Sequence, residues 1–176
     1  IIGGDLGDVL SGGDGSDAIL GGEGDDAIDG GSGTDTAAYA GNLADFSISA
    51  QVAGVTTVTD NAPGSFGDAG EDTIENVEIL DFFDANVILV GGSSDFATIQ
   101  AGVNAASDGD TIIVAAGTYI ENVIINKAVT IIGAGDDAGT GSIVAPGAGI
   151  GFTISDTISA GADVSISGFR FDGEFT

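Results

Sequence analysis

The chain contains no cysteine, histidine, methionine or tryptophan, and its only basic side chains are Lys127 and Arg170. Without Cys, His or Met, zinc, copper and iron–sulfur centres lose their usual ligands. Neither a Ser–His nor a Cys–His nucleophile pair can be assembled. Disulfides are excluded. The scarcity of Lys and Arg removes the counterion-release term that drives binding to nucleic acid and the attraction that draws proteins to anionic membranes, so both are poor partners. No Asn-x-Ser/Thr string offers a glycosylation site. No apolar run approaches the roughly 18 residues of a membrane helix, so membrane insertion is not expected. The chain opens on Ile1 without a charged-then-apolar leader and reads as a piece of something longer.

What is present is acid. Twenty-eight Asp and Glu give a formal net charge of -26 over 176 residues. Self-repulsion of that size opposes compaction unless cations neutralise it. A hydrophobic content of 43% argues against wholesale disorder. Acidity on its own also fits adaptation to high salt.

A nine-residue period runs without a gap from Gly3 to Ala38: GGDLGDVLS, GGDGSDAIL, GGEGDDAID and GGSGTDTAA. The copies align Asp8, Asp17, Asp26 and Asp35 at the sixth place, and Leu10, Ile19, Ile28 and the weaker Ala37 at the eighth. A flexible glycine linker has no reason to keep an aliphatic residue two places after every aspartate. The period predicts a parallel β-roll in which two copies complete one circuit, so that copy n lies against copy n+2. Glycines let each turn aim its carbonyl oxygens inward, while the aspartate adds a charged oxygen. The expected ligands are Asp8 with Asp26 along one edge and Asp17 with Asp35 along the other. Main-chain oxygens would come from Gly4, Gly13, Gly15, Gly22, Gly24, Gly31 and Gly33. An all-oxygen cage in a flexible turn favours Ca2+ over magnesium.

These nonapeptides resemble the RTX (repeats-in-toxin) family of secreted calcium-binding proteins. Copies two to four keep the full G-G-x-G-x-D string. Copy one has Leu6 where the third glycine belongs, which predicts an imperfect first turn. The resemblance implies type I secretion, an extracellular or cell-surface location, and folding after exit, when millimolar-range calcium fills the roll.

Past Thr36 the composition shifts to β-branched and aromatic residues. Alternation predicts strands at 46–49 and 55–59 with a turn at Ala53-Gly54, then a Gly- and Pro-containing loop from 60 to 71. This segment resembles the β-rich stretch that follows RTX repeats, on the strings Tyr39-Ala40-Gly41, Val58-Thr59-Asp60 and 72–78. It is expected to cap the roll, whose last coil would otherwise leave an unpaired edge. Tyr39, Phe46, Phe82 and Phe83 are its expected core aromatics. The acids between 68 and 78 read either as solvated loop charges or as a further calcium site.

From Gly91 a second unit begins. Ser94-Asp95 is the expected helix N-cap, with Phe96, Ile99, Val103 and Ala106 on one face. Strands are expected at 111–114, 122–125, 129–132, 142–145, 152–155 and 164–171. The strings 97–103, Gly109-Asp110-Thr111-Ile112, Ala116-Gly117-Thr118-Tyr119 and 129–133 resemble the opening of pectate-lyase-like, right-handed parallel β-helix proteins. The helix would cap this coil, and the last rung is expected to be open to more rungs or to a neighbour. A dinucleotide-like string from Gly133 to Ala138 is rejected, because no helix follows it and Asp136-Asp137 would repel a pyrophosphate.

The sequence therefore predicts an all-β chain: an RTX roll (1–38), a β-rich cap (39–90), and a capping helix with the first rungs of a parallel β-helix (91–176). The expected function is that of a calcium-stabilised structural or adhesive module of a large secreted bacterial protein, fibre-forming in one version. Its partners would be calcium and either an extracellular polysaccharide or further copies of itself end to end. The alternative is an accessory part of a secreted polysaccharide-modifying lyase or epimerase. Catalytic groups are scarce for that role: only Arg170 beside Asp172 offers any, and the pair reads more simply as a surface ion pair. Mannuronan epimerases resemble this combination of modules, but there the catalytic module precedes the roll.

Overall fold

The computed structural model describes residues 1–62, 69–135, 141–145, 151–155, 158 and 163–172. Part of the 60–71 loop, including Asp68, and the Asp136-Asp137 pair lie outside the described residues. The fold is all-β with one short helix among the described residues.

In the repeat region, β1 (Val9–Asp14), β2 (Ala18–Ile19), β3 (Ala27–Ser32) and β4 (Thr36–Ala38) alternate between two sheets. The pairing is parallel and skips one copy: Leu10 faces Ile28 and Ile19 faces Ala37. This is the n to n+2 stacking that the period predicts. The eighth-place side chains point between the sheets, where Ile19, Ile28 and Ala37 are buried.

The chain then leaves the roll through β5 (Phe46–Ile48) and β6 (Thr56–Asp60), an antiparallel pair joined by the expected turn at Ala53-Gly54. It returns as β7 (Glu71–Glu75) and β8 (Ile79–Asp81). These two strands stack in parallel on β3 and β4, placing Ile74 over Ile28 and Leu80 over Ala37. β6 closes the exposed edge of β7, and β9 (Asn86–Val90) closes that of β8, both antiparallel. Unpaired strand edges invite association, and here antiparallel strands satisfy them. Tyr39, Phe46 and Phe82 pack together with ring centroids 5.0–5.4 Å apart. Phe83, expected beside them, is instead 63% exposed: it follows Phe82 directly, and neighbours in an extended chain face opposite ways.

β9 is buried on both faces. Val87 and Leu89 join the core of the roll and cap, whereas Ile88 and Val90 join the core of the next unit. That second unit consists of α1 (Ile99–Ala105), β10 (Thr111–Val114), β11 (Gly117–Tyr119), β12 (Val123–Ile125), β13 (Thr130–Gly133), β14 (Ser142–Val144), β15 (Phe152–Ile154), β16 (Ser165–Ser167) and β17 (Phe169–Phe171). Its strands wind through three parallel sheets, β9-β10-β13-β16, β11-β14-β17 and β12-β15. The first of these is continuous with the roll, giving the order β16-β13-β10-β9-β8-β4-β2.

Several local expectations need correction. The helix starts later than Ser94-Asp95 implies: Thr98 is the N-cap, accepting from the Ala101 N–H, while Ser94 and Asp95 form a turn that faces the roll. The expected strand at 164–171 is two strands, broken at Gly168, whose φ of 72° turns the corner between sheets. Alternation along this strand would turn Phe171 inward with Phe169, yet Phe171 is 51% exposed. β17 is the outer strand of its sheet among the described residues, and Phe152 meets that ring edge-on. The sequence predicts no strand at β7, β8, β9 or β11.

The helix is fixed to the first coil at both ends. Glu121 accepts from the N–H groups of Ile99 and Gln100 at its start. Lys127 donates to the carbonyls of Val103, Asn104 and Ala106 at its end. Gln100 also pairs with the main-chain N–H and carbonyl of Ile124, as a neighbouring strand would. α1 thus covers β12, the outer strand of its sheet.

Candidate metal centre

Each aspartate at the sixth place folds back over the first glycine of its own copy. A Cβ at Gly12 would sit 2.8 Å from Asp17 Oδ2, and one at Gly30 would sit 2.8 Å from Asp35 Oδ2. At Gly21 the clash with Asp26 would be more severe. The first glycine of the motif is therefore a seat for a carboxylate. The second and fourth places of copies two to four all adopt φ between +99° and +133°, a region closed to most side chains.

The paired aspartates meet across the stack, though not carboxylate to carboxylate. The Asp8 N–H donates to Asp26 Oδ1 at 2.8 Å, and the Asp17 N–H donates to Asp35 Oδ1 at 2.7 Å. This leaves the second oxygens. Oδ2 of Asp17, Asp26 and Asp35 is buried without a hydrogen-bond partner. A buried carboxylate oxygen without a donor is expensive, and a bound cation is the usual remedy. The carbonyls of Gly4, Gly13 and Gly15 press against Gly22, Gly31 and Gly33 of the copy above. Gly24 instead packs on the main chain of Leu6 and Gly7. Among the described residues no three acidic side chains converge to hold an ion. A cation here relies on one or two carboxylates supplemented by main-chain oxygen, which suits calcium.

Copy one behaves differently. Neither Gly4 nor Leu6 adopts positive φ. The Gly4 N–H donates to Asp8 Oδ2 at 2.7 Å, and its carbonyl accepts from the Glu23 N–H. Both polar groups of Gly4 and the second oxygen of Asp8 are thus engaged within the protein.

The ladder of acids continues past the tandem copies. The Asp26 N–H donates to Asp72 Oδ1 at 2.8 Å, and the Asp35 N–H donates to Glu78 Oε2 at 2.8 Å. Both acids are only 1% exposed, so they are not solvated loop charges. Burial pushes the Asp72 carboxyl up to about 7, with the neighbouring Asp26 and Asp25 adding to the rise, against the hydrogen bond from the Asp26 N–H and the nearby Tyr39 hydroxyl. Burial likewise raises Glu78, partly offset by N–H donors from Asp35 and Asp95. The signal for Asp72 was in the sequence: Gly70, Asp72 and Ile74 reproduce the fourth, sixth and eighth places of the motif. Gly70 has φ +70° and packs on Gly24. Glu78-Ile79-Leu80 is fainter, because Glu replaces Asp and no glycine turn precedes it.

Residues 2–37 match the family described as RTX calcium-binding nonapeptide repeat, 4 copies. The ligand of this stretch is calcium. A search of curated proteins found no match to the chain. The calcium roll therefore occupies the first sheet layers of the molecule, and the rest of the fold is built outward from it. No helix among the described residues is long and apolar enough to cross a membrane. Arg170 and Asp172, the pair weighed for catalysis, form an exposed ion pair at 2.9 Å.

Proposed function

We propose that the chain is an extracellular structural module of a large secreted protein, in which calcium sets the stiffness of a rod-like array. On this reading residues 1–38 are the roll, 39–90 its cap, and 91–176 the first rungs of a pectate-lyase-like, right-handed β-helix. The observation that carries the reading is β9, whose side chains enter the roll-and-cap core on one face and the coil core on the other. A strand shared by two cores transmits order between them, because neither core can open without exposing the other's apolar surface. Calcium that binds only the folded roll adds its binding free energy to the roll's stability, and β9 passes part of that gain onward. Export in an unfolded, calcium-poor state followed by folding outside the cell fits the net charge of -26. The work of such a module is spacing within an adhesive or fibrous assembly, against extracellular polysaccharide or further copies of itself.

Hydrogen exchange on the intact chain with and without EGTA tests the coupling. Chelation is expected to speed exchange in β10 and β13 as well as in the roll. Unchanged protection of β10 and β13 while the roll opens would remove the basis for a calcium-set rod. For the assembly itself, negative-stain microscopy is expected to show end-to-end particles in calcium that disperse with chelator.

A further inference from the structure

We propose that Asp72, which lies outside the tandem repeats, completes a further calcium site with Asp26 and so binds the cap to the roll by metal. The proposal rests on calcium binding by the repeats and extends it to a residue that they do not contain. Asp26 is 2% exposed; its Oδ1 already accepts from Asp8, and its Oδ2 has no partner. That oxygen lies over Gly21. Gly21, Gly22, Tyr39, Asp60 and Asp72 line one cavity of about 280 Å³. The Tyr39 hydroxyl is buried beside the Asp72 carboxylate. Only oxygen-bearing side chains contribute polar atoms to this wall: the chain's two cations are engaged elsewhere, Lys127 on the end of α1 and Arg170 on Asp172.

The register places Asp72 above Asp26 as Asp26 stands above Asp8, because Thr73 pairs with Ala27 and Ile74 with Ile28. A hard cation seated in the Asp26 turn therefore meets the same kind of carboxylate from the cap that it would meet from another repeat. The opposite edge is closed differently. Both oxygens of Glu78 accept N–H bonds, from Asp35 and Asp95, and Asp95 in turn accepts from Gly33. One edge of the roll is thus finished by hydrogen bonds and the other by calcium.

Terbium(III) is a calcium substitute whose emission is sensitised by a nearby tyrosine, and the chain has no Trp and only two Tyr. Titrating the calcium-free full chain with Tb³⁺ under tyrosine excitation is expected to give sensitised emission that Tyr39→Phe abolishes. Asp72→Asn keeps an acceptor for the Asp26 N–H but loses the charge. It is expected to abolish the emission and to lower calcium stoichiometry, read by calorimetry, by one ion per chain. Tyr39→Phe should leave the calcium count unchanged. Full emission in Tyr39→Phe, or an unaltered ion count in Asp72→Asn, overturns the proposal. A parent chain that takes up no calcium at all would instead overturn the calcium reading of the repeats, so the two failures are distinct.

Discussion

The main-chain N–H of Asp17 donates to Asp35 Oδ1 at 2.7 Å, and Oδ2 of each aspartate is left buried and unpartnered. The carboxylate ladder is therefore half satisfied by protein, and the other half is available to metal. In copy one the corresponding oxygen of Asp8 is taken by Gly4.

Unequal sensitivity to mutation follows from that difference. Asp35→Asn is expected to abolish one calcium-linked increment of stability, worth about 2.7 kcal/mol at about 100 times Kd. Asp8→Asn should cost far less of the calcium-induced rise in Tm. Thermal melts with and without EGTA compare the two, and equal losses would contradict the ranking.

Leu6→Gly restores the missing third glycine of copy one. With the side chain gone, the turn can adopt the positive φ seen at Gly15, Gly24 and Gly33. Calcium affinity on the Asp8–Asp26 edge is expected to rise, measured by calorimetry. Metal-free stability should fall slightly, because glycine loses more chain entropy on folding.

Lys127 holds three carbonyls at the end of α1. Lys127→Met keeps most of the apolar stem but strands those acceptors, and it is expected to cost about 1–2 kcal/mol in urea unfolding. No change in the midpoint would mean that solvent replaces the ammonium without penalty.

Neither tyrosine is expected to ionise near 10 in the folded chain. Burial, then the charge of Glu121, pushes Tyr119 from 10.0 up to about 12. Burial pushes Tyr39 well above 10.0, with Asp72 and Asp26 adding to it. Between the unfolded value and the raised folded value the native state holds the extra protons, so stability falls as pH rises through that window. Phenolate absorbance should lag the model-peptide curve and then appear together with unfolding. A simple titration at 10 with the fold intact would contradict the burial.

Periodicity alone made the roll legible. A nine-residue repeat with an apolar eighth place predicts that copy n stacks on copy n+2, and the strands pair in that register. Composition alone made calcium the natural ion, because a chain without His, Cys or Met offers oxygen. Tertiary structure decided the rest. Asp72 joins its partner Asp26 across a 46-residue gap, through an excursion whose length no local pattern encodes. The sharing of β9 between two cores was hidden as well: a run such as Asn86–Val90 shows that both faces are buried, and not what buries them. Thr98 displaced Ser94-Asp95 as the helix cap because Asp95 was drawn into bonding with Glu78 and Gly33. Short-range order follows from residue spacing; which distant edges meet is settled only when the whole chain buries its apolar faces at once.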